Sequence, residues 1–430
     1  MVQPRKSGWQ LSFFTIWSGQ AFSLLGSELV QFALVWWLTE STGSATVLAT
    51  ATLVALLPTV LLAPFAGALV DKWNRRAVMM VADSVIAAAT VGLALIFVSG
   101  EVQVWHIYAI MFIRATAGGF HWPAMQASTS LMVPEEHLSR VAGLNQVLRG
   151  SMSMLCPPLG ALLLSTMALQ HVLAIDVGTA LLALLPLIFV SIPQPEPAAA
   201  TQQREGRGSV WRDVRAGLRY VWGWPGLLLV LVMGMLANFL FNPAFALLPI
   251  LITDHFRGGA FELAWAEAAA GVGVVLGGLI LSAWGGFRQR ILTSMMGLAA
   301  FGLGILIIGV TPQHAFWLAV GGMFVVGMAG SMVDGPLFAV LQASVAPEMQ
   351  GRVFTLTLSA AKAMAPLSLA IAGPVADLFG VRIWYVVSGT VCALMGVGAF
   401  FLPALTHFED GYGSRKGSGP TPVKVEQMPR

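Results

Sequence analysis

Charged residues are scarce in this sequence. Asp, Glu, Lys and Arg make up 10% of its 430 residues, whereas soluble globular proteins carry about 25%. Hydrophobic residues make up 57%, and the mean hydropathy is +0.78. The apolar runs recur too often, and are too long, to be the cores of separate soluble domains. The sequence therefore predicts a protein that lies mostly inside a membrane.

Cysteine is also scarce, and motifs for catalysis are missing. Cys156 and Cys392 both lie in apolar runs, so no disulfide framework is expected. No Cys or His cluster has the spacing of a metal site, and a net charge of +3 is too small to indicate a nucleic-acid partner. A Walker lysine motif is missing, and Gly271-Val272-Gly273 lies inside an apolar span, where it suits close helix packing. We therefore expect no enzyme activity, no ATP hydrolysis, no cofactor and no metal.

Twelve apolar runs are long enough to cross a membrane as helices, since about 20 residues span about 30 Å of hydrocarbon. Lys and Arg in short loops mark the cytoplasmic side. Eighteen of the 23 fall on one side, and only Arg257 and Arg382 fall on the other. We therefore predict an all-α membrane protein with both termini in the cytoplasm. The predicted spans are Leu11 to Leu38, Thr46 to Val70, Val78 to Ser99, Val104 to Ser128, Val141 to Thr166, Val172 to Ile192, Leu227 to Ile252, Leu263 to Trp284, Ile291 to Val310, Ala315 to Leu341, Val353 to Val375 and Ile383 to Leu402.

The spans form two groups of six, separated by a break that begins Pro-Gln-Pro-Glu-Pro. The second part of this break, Val210 to Trp222, has the pattern of an amphipathic helix on the inner membrane surface. Spans and breaks recur at an offset of 213 residues, at which Arg149 matches Lys362. This recurrence favours two six-helix bundles arranged as parallel repeats. The predicted divisions are an N-terminal bundle at 1–192, a cytoplasmic linker at 193–225, a C-terminal bundle at 226–402 and a disordered cytoplasmic tail at 403–430.

The connection between the second and third spans reads GALVDKWNRR, from Gly67 to Arg76. Gly67 lets another helix approach closely, Asp71 can lie against the positive end of a helix from the other half, and the cations hold the loop inside. The connection resembles the signature loop of the major facilitator superfamily, with Asn74 where that pattern usually has Gly. The resemblance implies two similar bundles that rock about a central site. We assign gating roles to Gly67, Asp71, Arg75 and Arg76.

Further stretches resemble narrower groups of that superfamily. Arg114 followed by Gly118 looks like the fourth-helix pattern of proton-coupled members. Cys156 to Gly160 looks like the fifth-helix pattern of antiporters, with Cys156 in place of its leading Gly. The third drug:proton antiporter group, that of macrolide efflux proteins, also contains siderophore exporters and lysophospholipid transporters. The stretches that resemble this group are Leu25 to Glu28, Thr42 to Ala45, Pro134-Glu135 and Asp377.

Glu28 is the first candidate for proton coupling. An ionisable group at membrane depth costs about 2.5–3.5 kcal/mol on insertion scales, so each one is a functional hypothesis. At about 100° per residue, Gln20, Glu28 and Gln31 fall on one face of the first span and are expected to line a wet cavity. We assign Gln20 and Gln31 to substrate binding, and we expect Arg114 to act on Glu28 across the cavity. The alternatives are an inert Glu28 at the outer mouth and a structural Arg114 bonded to backbone carbonyls.

Two amides in the seventh span form a second candidate contact with substrate. Asn238 and Asn242 lie one turn apart, just before Pro243, which interrupts the helical hydrogen bonds. A bent helix with two inward amides suits a substrate contact. Bonding of the same amides to a neighbouring helix is the alternative.

Other charged residues within the spans are assigned to structure or to a gate. Asp83, Asp176 and Asp334 lie near span ends, where a structural role is favoured. Arg149 and Lys362 occupy matched positions in the two halves, and they can pair with Asp83 or Asp334 to form an inner gate.

These features predict a secondary transporter of the cell membrane that exports amphipathic small molecules in exchange for protons. Its expected partners are the substrate, protons and membrane lipids, without nucleic acid, and we expect a monomer. The alternatives are a lipid or lysophospholipid translocator, a siderophore exporter and a transporter-like receptor that signals without net flux.

Overall fold

The computed structural model describes residues 9–70, 73–194, 210–345 and 347–409. Long helices make up most of these ranges. They are α1 Trp9–Thr42, α2 Ala45–Val70, α3 Arg75–Ser99, α4 Val104–Met132, α5 Glu135–Thr166, α6 Leu169–Phe189, α7 Val210–Trp222, α8 Pro225–Ala246, α9 Ala260–Trp284, α10 Arg290–Val310, α11 Phe316–Ser344, α12 Pro347–Phe379 and α13 Val381–Ala399.

Eleven of the helices in the described ranges are long and apolar enough to cross a membrane. The other long helix, α4, has 29 residues and includes Arg114 and His121, which lower its hydropathy. The helices are consistent with the twelve spans predicted from the sequence. The chain termini lie outside the described residues, so their cytoplasmic location stays a prediction.

The two groups of six helices repeat the same arrangement. In the first group, α1 packs against α6 and α5, α4 packs against α2 and α3, and α3 packs against α6. In the second group, α8 packs against α13 and α12, α11 packs against α9 and α10, and α10 packs against α13. Each of these pairs in one group has its counterpart in the other, at the same place in the order of helices. The predicted fold class, two similar six-helix bundles, is therefore confirmed.

The two bundles meet along two pairs of helices. The second helix of the first bundle, α2, packs against the fifth helix of the other, α12, and α5 packs against α9 in the reciprocal way. Gly373 of α12 lies so close to α2 that a side chain there would come within 2.7 Å of the Thr46 Cα. Gly271 of α9 is similarly close to Met154 of α5. The interface between the bundles thus consists of two equivalent contacts, in which the second helix of each bundle packs against the fifth helix of the other.

Several helices begin or end away from their predicted bounds. α5 begins at Glu135 and α12 at Pro347, each about six residues before the predicted span, because polar first turns continue the helix outside the apolar run. The seventh span is interrupted after Ala246, where a short helical turn, Leu248–Ile250, leads into a π-helical turn, Leu251–His255. Pro249 has no backbone N–H, so the regular ladder cannot continue through it.

The linker and the start of the tail pack onto the second bundle. α7 contacts α12 and α8, and its Val221 is fully buried. Phe408 is also buried and stacks on Trp224, with ring centroids 4.7 Å apart. Glu409 accepts a hydrogen bond from the backbone N–H of Ile291 at 2.9 Å. Residues 403–409 are thus ordered, contrary to the predicted disordered tail, because Phe408 fills an apolar site. The remainder of that tail and residues 195–209 of the linker lie outside the described residues.

Candidate functional site

A polar cavity of about 360 Å³ lies within the first bundle. We call it the first-half cavity. The α1 face predicted from helical periodicity lines it, and ionisable side chains approach from α3, α4 and α5. Its polar and charged lining residues are Gln20, Ser23, Ser27, Glu28, Gln31, Thr59, Asp83, Arg114, His121, Asn145 and Arg149.

A second cavity, of about 580 Å³, lies between the bundles and is called the central cavity. Helices α1, α2 and α5 line it from one side, and α8 to α11 line it from the other. Glu28 and Gln31 line both cavities, so they stand where the two spaces adjoin. The central cavity combines carboxylates with an apolar wall. Its carboxylates are Glu28, Glu267 and Asp334, and its aromatic residues are Phe32, Phe241, Phe245 and Phe301.

The sequence analysis missed Glu267. It lies seven residues into α9 and lines the central cavity together with Glu28 of the opposite bundle. The predicted eighth span, Leu263 to Trp284, already contained this carboxylate. The rule that any ionisable residue inside a span is a functional hypothesis therefore identifies it. Its approach to Glu28 is not visible in the sequence because 239 positions separate the two residues.

Arg114 forms a buried ion pair with Asp176 of α6. Its Nη1 lies 2.5 Å from Asp176 Oδ2, and it also donates to the Thr90 hydroxyl. The Asp176 carboxylate accepts further hydrogen bonds from Thr90 at 2.9 Å and from Ser27 at 3.2 Å. Arg114 and Glu28 both line the first-half cavity. The expected action on Glu28 therefore comes from a cation whose direct partner is Asp176, and backbone carbonyls are not the partners that the structure gives it.

A second polar cluster lies nearer the end of the bundle where α3 begins. Asp83 of α3 is buried and accepts a hydrogen bond from Gln20 Nε2 at 3.0 Å. Nε2 of His121, on α4, lies 3.3 Å from the other Asp83 oxygen. Gln20 thus binds an acidic side chain in this structure, although its amide remains part of the first-half cavity wall.

The amides of the seventh span bond within their own helix. Asn238 Nδ2 donates to the Gly234 carbonyl at 2.9 Å, and Asn242 Nδ2 donates to the Asn238 carbonyl at 2.7 Å. Neither amide is part of the central cavity wall, to which α8 contributes Phe241 and Phe245. Their assignment to substrate binding stays a prediction that these contacts do not support.

The predicted inner gate is described in part. Gly67 lies in the last turn of α2, and Asp71 lies outside the described residues. Arg75, in the first turn of α3, is buried. Arg76 donates to the Leu187 carbonyl and, at 2.6 Å, to the Ile188 carbonyl at the end of α6. Asn74 accepts from the Ala77 N–H as the N-cap of α3, which gives a reason for Asn where the family pattern usually has Gly.

The matched cations do not form the predicted pairs in this structure. The Arg149 guanidinium lies over the Trp122 ring, 3.8 Å from its centroid. Asp83 is bonded to Gln20 and faces His121 instead. Lys362 is exposed on α12. An aromatic ring stabilises the guanidinium without a carboxylate, which explains how Arg149 is accommodated in the bundle.

At the opposite end of the interface, Asp377 of α12 caps α2. Its carboxylate accepts hydrogen bonds from the Ala45 N–H at 2.8 Å, the Thr46 N–H at 3.0 Å and the Ser44 hydroxyl at 3.1 Å. The first N–H groups of a helix have no partners within the helix, and an anion stabilises them. One bundle therefore supplies the N-terminal cap for a helix of the other.

Comparison with known proteins identifies the family. Residues 16–369 match the model of the Major Facilitator Superfamily. The chain belongs to this superfamily. It is therefore a multi-pass membrane transporter and not an enzyme, as the sequence predicts.

Individual relatives of this superfamily member cover most of its length. Macrolide efflux protein A of Streptococcus pyogenes is 34% identical over 391 residues, which are 91% of this chain and 96% of that protein. Multidrug efflux pump Tap of Mycolicibacterium fortuitum is 27% identical over 395 residues, covering 89% and 94%. The solved structure of a D-xylose-proton symporter has a TM-score of 0.65 at 14% identity and covers 90% of this chain and 96% of that one. This last likeness shows the fold alone.

Proposed function

We propose that this chain is a proton-coupled exporter of amphipathic small molecules of the macrolide type, located in the cell membrane. The observation that carries the proposal is its 34% identity, over nearly the full length of both chains, to a protein named for macrolide efflux. The central cavity supports it, since about 580 Å³ falls in the range of small-molecule sites, about 300–1,000 Å³.

The lining of the central cavity suits an amphipathic ligand with a cationic group. Phe241, Phe245 and Phe301 provide an apolar wall, and Glu28 and Glu267 place carboxylates opposite one another across the interface. A protonated amine satisfies buried carboxylates, while the apolar body of the ligand covers the aromatic wall. This combination favours lipophilic amines over neutral sugars of similar size.

Proton exchange follows if substrate and proton compete for Glu28. An ionised Glu28 attracts a cationic substrate, and a protonated Glu28 releases it. Because Glu28 adjoins both cavities, it can release its proton through the first-half cavity and then receive substrate in the central one. Each elementary charge that crosses 100 mV of membrane potential supplies about 2.3 kcal/mol. Rocking of the bundles about α2–α12 and α5–α9 then exposes the site to alternate sides.

Accumulation of erythromycin in a susceptible bacterium tests the proposal. Cells that express the chain should retain less erythromycin than control cells, and a protonophore should abolish the difference. Glu28→Gln and Glu267→Gln should each raise retention towards the control level at equal expression. Glu136→Gln is the matched control, because Glu136 is an exposed carboxylate outside both cavities. Efflux that survives the protonophore contradicts proton coupling and favours a lipid translocator, while undiminished efflux by Glu28→Gln removes Glu28 from the mechanism.

A further inference from the structure

Polar side chains in the first bundle form two layers. Three helices each contribute one residue to each layer, and the two residues on a helix are seven positions, or about 10 Å, apart. The inner layer contains Gln20 of α1, Asp83 of α3 and His121 of α4. The outer layer contains Ser27, Thr90 and Arg114 of the same helices, joined by Asp176 of α6.

The outer layer is fully paired, whereas the inner layer is not. In the outer layer, Asp176 is bonded to three side chains and its charge is matched by Arg114. In the inner layer, Nε2 of His121 is buried and lies 3.3 Å from Asp83, yet it makes no hydrogen bond in the described structure. Beside an ionised Asp83, a neutral His121 presents an acceptor or a donor at Nε2, depending on its tautomer, whereas the imidazolium always presents a donor. The imidazolium also carries a positive charge, so it gains most from Asp83 through a charge-assisted hydrogen bond.

The pair shares a polar cavity with Glu28. Asp83 and His121 both line the first-half cavity, whose other charged lining residues are Glu28 of α1, Arg114 of α4 and Arg149 of α5. Asp176 of α6 is bound to Arg114. Among the α2 side chains that the structure describes, only Ala55 and Thr59 belong to this wall. Arg149 faces Trp122, so neither arginine neutralises Asp83 directly.

We propose that Asp83 and His121 form a second proton-binding site, which accepts the proton of Glu28 through the first-half cavity and passes it to the inner side. The inference rests on the proposed function. In the transfer step the O–H bond of the Glu28 carboxyl group breaks, water in the polar cavity carries the proton, and an N–H bond forms on Nε2 of His121. Asp83 stabilises the imidazolium until it loses this proton on the inner side, which leaves His121 neutral. Gln20 is a positioning residue that holds the Asp83 carboxylate towards the ring.

Proteoliposomes that contain the purified full-length chain and erythromycin test the site with two readouts. The first is uptake or release driven by an imposed pH gradient. The second is erythromycin counterflow without a gradient, which needs binding and alternating access but no net proton movement. In His121→Gln and Asp83→Asn, gradient-driven transport should fall by about tenfold or more while counterflow stays within about twofold of the wild type. His106→Gln, in the first turn of the same helix and outside the cavity, should leave both readouts unchanged.

The outcomes separate this inference from the proposed function. A wild-type chain whose transport ignores the pH gradient contradicts proton coupling itself. If the pH gradient drives transport equally well in the wild type, in His121→Gln and in Asp83→Asn, the second proton-binding site is overturned and the proposed function is not. Equal losses of counterflow and gradient-driven transport in His121→Gln also overturn it, because they show a structural role. In His121→Gln, an amide of similar polarity replaces the imidazole ring, and the ring makes one buried polar contact. This variant therefore decides whether the second proton-binding site exists.

Discussion

Asp176 is fully buried within the first bundle, and its charge is matched through a single contact with Arg114. The packing around it leaves little freedom, because a side chain at Gly26 would lie 3.0 Å from the Asp176 Cα. Removal of one partner of a buried ion pair leaves an uncompensated charge, whereas replacement of both partners by apolar residues is often neutral. The pair therefore has a structural consequence that can be separated from the proposed role of Arg114 in coupling.

Asp176→Asn should lower the free energy of unfolding by about 3–5 kcal/mol, because it leaves the Arg114 charge unpaired. Thermal unfolding of the purified chain in detergent, followed by tryptophan fluorescence, measures the change. The double variant Arg114→Met with Asp176→Leu should recover most of that stability but not the gradient-driven transport. If the double variant is as unstable as the single one, stability depends on the wider network with Thr90 and Ser27 and not on the pair.

At the scale of the helix, the N-terminus of α2 is completed by a residue of α12. Loss of a carboxylate N-cap costs about 1 kcal/mol. Here the cap also joins the two bundles. Its loss therefore destabilises the conformation in which this end of the interface is closed. Gly373 allows the contact, since it brings α12 onto the first turn of α2.

Asp377→Ala should increase the exposure of the central cavity to the side of the membrane on which α2 begins. The measurement uses Thr52→Cys, which lines that cavity, in a background that carries Cys156→Ala and Cys392→Ala. Labelling of intact cells by an impermeant maleimide should accelerate about fivefold, the equivalent of about 1 kcal/mol. Asp254→Ala is the control, because Asp254 lies at the same end but does not cap α2. Equal labelling rates in Asp377→Ala and its parent show that the cap does not hold this end closed.

The sequence predicts the helices better than the contacts between them. Apolar runs bounded by charge identify the spans because hydrocarbon thickness fixes their length. The polar first turns of α5 and α12 lie outside the apolar runs, and hydropathy does not predict where a helix begins there. The pairing of Arg114 with Asp176 joins residues 62 positions apart, and no local pattern marks it. The α1 face was predictable from periodicity alone, since its residues share one helix.

At the scale of the whole molecule, the repeat makes each half of the interface the counterpart of the other. α2 with α12 and α5 with α9 are the same contact with the bundles exchanged. The Asp377 cap lies at the end where α1 connects to α2, so closure of this end brings together Ser44, Asp377 and the first turn of α2. Transport by rocking requires these contacts to separate in each cycle.

A disulfide between Ser44→Cys and Asp377→Cys, in the background without Cys156 and Cys392, should lock this end shut. The Ser44 hydroxyl and an Asp377 oxygen are 3.1 Å apart, so the two side chains face each other across the interface. Oxidation should abolish erythromycin transport in proteoliposomes, and dithiothreitol should restore it. Each single cysteine variant is a control and should be insensitive to oxidant. Transport that continues after quantitative cross-linking, judged by protection from a maleimide tag, would show that the end capped by Asp377 does not open during the cycle. Rocking of the bundles about the central cavity would then be excluded as the route by which substrate leaves.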